Sequence, residues 1–89
     1  MAQLSFGERI ALLRRRQGMT QKELGDESTV HPNTIARLER GRLTDLPGSA
    51  VARIAQALGT STDFLLGLTE NEEPRETEDE AAVEELVGR

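Results

Sequence analysis

No cysteine occurs in this chain, and histidine occurs once, at His31. A disulfide framework is thereby excluded, and neither a thiolate nor an imidazole metal site has enough ligands. Aromatic residues are equally scarce. Phe6 and Phe64 are the two present, which disfavours β-rich folds and leaves no stacking platform for single-stranded nucleic acid. No apolar run comes near the roughly 18 to 20 residues that a bilayer requires. Met1 to Leu4 lacks the charged segment and apolar stretch of a secretion signal, so no membrane is expected and the cytoplasm is the expected place. Catalytic groupings are missing too: there is no Ser-His-Asp set and no phosphate-cradling glycine loop. The expectation is therefore no enzyme and no cofactor.

What is present is charge, unevenly placed. The 89 residues carry a net charge of −5, which alone speaks against nucleic acid, because affinity for phosphates rests on Lys and Arg displacing counterions. From Met1 to Thr69, however, nine Lys and Arg stand against seven Asp and Glu. From Glu70 to Arg89, two Arg stand against nine acids. The acidity thus belongs to a tail, and residues 1–69 form one mildly basic domain with residues 70–89 as an acidic linker. At 36% hydrophobic, such a domain buries a modest core, so packing and capping must supply its stability, with help from dimerisation.

The periodicity predicts an all-α fold of five helices. Ser5 with Glu8 makes a capping box, and Phe6, Ile10 and Leu13 follow at helical spacing, giving helix 1 from about Ser5 to Gln17. Thr20 with Glu23 is a second capping box and starts a short helix 2 that carries Leu24 inward and ends near Glu27 or Ser28. Helix 3 opens at His31, with Pro32 suited to the first helical position and Gly41 as a left-handed cap beyond its end. Val51, Ile54, Ala55 and Leu58 mark helix 4, closed by Gly59. Ser61, Thr62 and Asp63 cap a last helix from Asp63 to about Leu66. In the tail, Ala82, Val83, Leu86 and Val87 fall on one stripe, so a short extra helix from about Glu78 to Val87 fits the pattern. At about ten residues it is marginal alone.

Two short helices joined tightly, the second opening on polar residues, suit a helix that enters a major groove about 12 Å wide. The stretch "RRRQGMTQKELGDESTVHPNTIARLERGR" resembles the Xre or lambda-repressor-like helix-turn-helix family, and "IAQALGTSTDFLLGL" is similar to that family's fourth and fifth helices. Thr20-Gln21 at the start of helix 2 and Glu39-x-Gly41 at the end of helix 3 carry most of the likeness.

The resemblance implies a dimeric regulator of transcription, a repressor, that reads a partly palindromic stretch of double-stranded DNA through helix 3. Base readout would then fall to Pro32, Asn33, Thr34 and Arg37. Phosphate contacts would come from Thr20, Gln21, Lys22, His31, Arg40 and Arg42, with Arg14 and Glu39 as a structural ion pair. Thr60, Ser61, Thr62 and Phe64 lie where relatives meet their two-fold mate, although core packing explains Phe64 equally well.

Departures from the family pattern occur at four positions. Pro32 stands where a donor to a base is common, Gly25 replaces Ala, and Ser28-Thr29 replaces Leu-Gly, so another residue must take the strained turn backbone. The rival reading is an antitoxin-like or partner-bound interaction protein, whose acidic tail binds a basic protein partner or masks its own DNA face.

Overall fold

A computed structural model describes residues 3–74, and the tail helix expected near Glu78 to Val87 lies outside them. The described residues form five helices and no strand: α1 (Phe6–Arg16), α2 (Gln21–Ser28), α3 (Pro32–Glu39), α4 (Gly48–Leu58) and α5 (Thr62–Leu65). Both capping boxes close, each Ser or Thr hydroxyl accepting from the amide of the Glu three residues on, while that Glu accepts from the cap amide. The last helix begins one residue earlier than the sequence pattern suggests, because the Ser61 hydroxyl, not Asp63, accepts from the Phe64 amide.

One apolar side of each helix meets in a shared core. Ile10, Leu24, Ile35, Ile54 and Leu65, one from each helix, are fully buried. Burial of each such side chain stabilises by about 1.5 to 3 kcal/mol. Phe6, Met19, Leu43 and Leu46 close its margins. Helix α1 crosses α3 where Gly7 meets Leu38, so closely that a Cβ on Gly7 would overlap the Leu38 carbonyl oxygen. This contact sets the distance of α3 from the body of the domain.

Polar side chains tie helix ends that lie far apart in sequence. The Gln17 amide donates to the Leu58 carbonyl at 2.7 Å, occupying an orphan acceptor at the end of α4. Arg53 on α4 donates to the Ser28 carbonyl at 2.8 Å and so closes the end of α2. The buried Ser28 hydroxyl turns back to the Leu24 carbonyl at 2.7 Å. Arg9, buried on α1, lies with its guanidinium carbon 4.8 Å from the centre of the Phe64 ring and joins α1 to α5.

Candidate nucleic-acid interface

The turn from α2 to α3 is built by the residues that depart from the family pattern. Thr29 takes the left-handed backbone, with φ of 57°, and its amide donates to the Gly25 carbonyl. Among the described residues it is the one non-glycine residue with positive φ. Gly25 and Pro32 are fitted to each other across this turn. A Cβ on Gly25 would lie 2.6 Å from the Val30 carbonyl oxygen and 3.1 Å from Cγ of Pro32. The ring of Pro32 therefore leans on α2, and the Ala usual at this position has no room beside it.

The two helices present different N-termini. At α2, the Thr20 hydroxyl satisfies the Glu23 amide, while the amides of Gln21 and Lys22, in the first turn, have no intrahelical acceptor. At α3, Pro32 has no amide hydrogen. Nδ1 of His31 accepts from the Asn33 amide at 3.0 Å, and the His31 carbonyl accepts from Thr34 and Ile35 at 2.9 and 3.2 Å. His31 is thus the N-cap of α3.

Behind both helices stands one buried ion pair. Arg14 grips Glu39 with two hydrogen bonds, of 2.7 and 2.9 Å, and donates a third to the Met19 carbonyl at 2.7 Å. The Gln21 side-chain amide adds a bond to Glu39 at 3.1 Å. Burial pushes the Glu39 carboxyl up, but hydrogen bonds from Arg14 and Gln21 and the charges of Arg14 and Arg15 outweigh it and hold the group below the ordinary carboxylate value. The Arg14 guanidinium is raised, first of all by its hydrogen bond to Glu39. Gln21, expected as a phosphate contact, therefore has its side chain on Glu39, and the group it leaves open is its backbone amide.

On the outer side of α3, Asn33 and Arg37 are exposed one turn apart, while Pro32 and Thr34 are half-buried. Arg40 and Arg42 follow, both exposed. Arg37, Arg40 and Arg42 form no ion pair among the described residues. Lys22 pairs with Asp26 at 3.0 Å, with both side chains mostly in solvent. Such a pair is worth at most about 1 kcal/mol and is readily exchanged for another anion.

The sequence matches the family model described as a helix-turn-helix domain over residues 5–66. The chain belongs to the lambda-repressor-like helix-turn-helix family. It is similar to the P22 c2 repressor, whose solved structure is a complex with the synthetic operator 9T in the presence of Tl+. The TM-score is 0.67 and the identity 30%, over 72% of this chain and 96% of that one. It is also 29% identical over 75 residues to the HTH-type transcriptional regulator ImmR of Bacillus subtilis (strain 168). That match takes in 84% of this chain and 58% of the regulator's length.

Within this helix-turn-helix domain, the residues expected at a two-fold interface are occupied internally. Thr60 is 4% exposed, Ser61 6% and Phe64 4%, and Thr62 is half-buried. Phe64 sits in the core beneath Arg9, Ser61 caps α5, and the Thr60 hydroxyl donates to the Glu72 carbonyl at 2.6 Å. The apolar side chains that face outward nearby are Leu66 and Leu68, 50% and 73% exposed. In the single chain, Thr60, Ser61 and Phe64 are packed against their own domain.

Sequence reasoning missed Arg9, Gln17, Arg53 and Glu72. Arg9 had a signal, since it lies three residues after Phe6 and four before Leu13, on the apolar stripe of α1. Glu72 had none. Its carboxylate meets Arg16 at 2.6 Å, so the acidic segment starts along the ends of α1 and α4, next to a small cavity of about 260 Å³ floored by Leu13 and Leu58.

Proposed function

We propose that this chain is a sequence-specific double-stranded DNA-binding regulator of transcription, acting as a repressor, which reads a partly palindromic operator as a dimer. Helix α3 enters the major groove and α2 lies across the backbone. The observation that carries the reading is the outer face of α3 and its continuation, where Asn33, Arg37, Arg40 and Arg42 stand exposed and free of carboxylates among the described residues. Arg can take both acceptors of a guanine and Asn can pair with an adenine, each for about 1 to 3 kcal/mol of discrimination. Pro32 offers only its ring, for contact with a thymine methyl, so reading falls mainly to Asn33, Thr34 and Arg37.

Phosphates are held at the two flanks. The open amides of Gln21 and Lys22 point the positive end of α2 at one phosphate, with the Thr20 cap fixing their direction. Arg40 and Arg42 meet the backbone at the other end of α3. The P22 c2 repressor, similar to this chain over most of its length, was solved on an operator, which supports the same docking here. Domain and tail divide near Thr69, and dimerisation uses the exposed Leu66 and Leu68 beside α5 in place of the buried Phe64.

Selection from random duplexes, with mass measurement of the recovered complex, tests the reading in one experiment. The expected product is a sequence with two related half-sites about one helical turn apart, bound by two copies. Recovery of no consensus would refute it. The partner-binding alternative predicts that removing residues 70–89 changes operator affinity and its salt slope, whereas an idle tail leaves both as they were.

A further inference from the structure

The closed N-terminus of α3 has a chemical consequence at His31. Nδ1 accepts the Asn33 amide hydrogen at 3.0 Å, so the neutral imidazole must carry its proton on Nε2. Among the described residues the ring makes no other hydrogen bond and no ion pair, and it is exposed. A second proton has one place to go, Nδ1, and there it replaces an acceptor with a donor facing another donor. Asn33, whose amide is released by that step, is the first exposed position on the outer side of α3.

We propose that His31 is a positioning residue for base reading, fixing Asn33 in its neutral form and releasing it when protonated. The proposal rests on the DNA-binding reading above. Protonation then moves two affinities in opposite directions. One added cation beside the phosphates raises affinity for any duplex, because each neutralised phosphate releases counterion. Loss of the cap loosens Asn33 and lowers the preference for operator over random sequence. The elements around the turn carry Asp26 and Glu27 on α2, Arg37 on α3 and Arg53 on α4. None of these is bonded to the imidazole, Asp26 being held by Lys22 and Arg53 by the Ser28 carbonyl.

His31 is the chain's single histidine, so its ring signals identify themselves. Long-range proton–nitrogen correlation on the intact chain reads the tautomer at neutral pH and shows when the ring becomes protonated. Binding to the selected operator and to a scrambled duplex is then measured on both sides of that change, for the parent and for His31→Asn, which keeps a capping oxygen and does not titrate. The expected result is the Nε2–H tautomer and a parent operator-to-scrambled ratio that falls about fivefold on protonation, the lower end of one base contact. Scrambled-duplex affinity should rise, and the His31→Asn ratio should stay flat. A neutral ring protonated on Nδ1, or parent and variant ratios that move together, overturns the proposal. If the parent prefers no duplex at any pH, the DNA reading itself has failed, and the tautomer still reports separately on the cap.

Discussion

Helices α2 and α3 are the same length and follow each other closely, yet their N-termini are finished in opposite ways. Thr20 leaves the amides of Gln21 and Lys22 open, whereas His31 and Pro32 leave α3 no open amide in its first turn. An open helix start attracts any anion and carries no sequence information. A closed start leaves recognition to side chains, which do carry it. In the proposed DNA-binding function the two ends divide positioning from reading, and Glu39, bonded to Arg14 on α1 and Gln21 on α2 while belonging to α3, keeps them in register.

Breaking that register has the largest expected effect. Glu39→Ala leaves Arg14 partly buried without its partner and should cost about 3 to 5 kcal/mol of unfolding free energy, read as a lower urea midpoint. The pH dependence has a definite sign. Because the folded carboxyl is held below its ordinary value of 4.5, its contribution is complete above that value and is lost as pH falls through the folded one. A urea midpoint followed from pH 7 to 3 should fall less steeply below pH 4.5 in Glu39→Gln than in the parent. Some acid sensitivity remains in the variant, since backbone and side-chain hydrogen bonds from Ser5 also lower Glu8.

Crowding the turn comes next. Gly25→Ala drives a methyl against the Val30 carbonyl oxygen and the Pro32 ring, and overpacking of this kind costs about 1 to 3 kcal/mol. Calorimetry should show a lowered Tm, only partly recovered by adding Pro32→Ala, since the carbonyl contact remains. Smallest of all is Glu72→Gln. It removes a half-exposed pair with Arg16 and should shift stability by less than about 1 kcal/mol in denaturant titration.

The elements were legible in the sequence because their signals are local. Ser5 with Glu8 and Thr20 with Glu23 lie three residues apart, and the left-handed glycines at 41 and 59 stand next to the helix ends they close. The Arg14 and Glu39 pair, expected from family likeness, is present. What stayed hidden depends on folding that brings distant residues together. Arg53 reaches Ser28 and Gln17 reaches Leu58 only once α4 has packed. Phe64 shows why a candidate interface residue is hard to separate from a core residue by spacing, since both fall on the same apolar stripe. The fit of Gly25 to Pro32 was equally illegible, because each looked like an isolated departure until the turn brought them together.

The division between positioning and reading is tested most directly by the selected operator and a panel of its single-base-pair substitutions, bound by the parent, Arg37→Ala and Gln21→Ala. Arg37→Ala should flatten the preference at one position, by about 1 to 3 kcal/mol, and leave the others ranked as before. Gln21→Ala should weaken every duplex by a similar factor, because it removes the bond to Glu39 that steadies the helix start proposed to meet phosphate. Uniform weakening by Arg37→Ala, or a preference lost at one position in Gln21→Ala, would contradict the account.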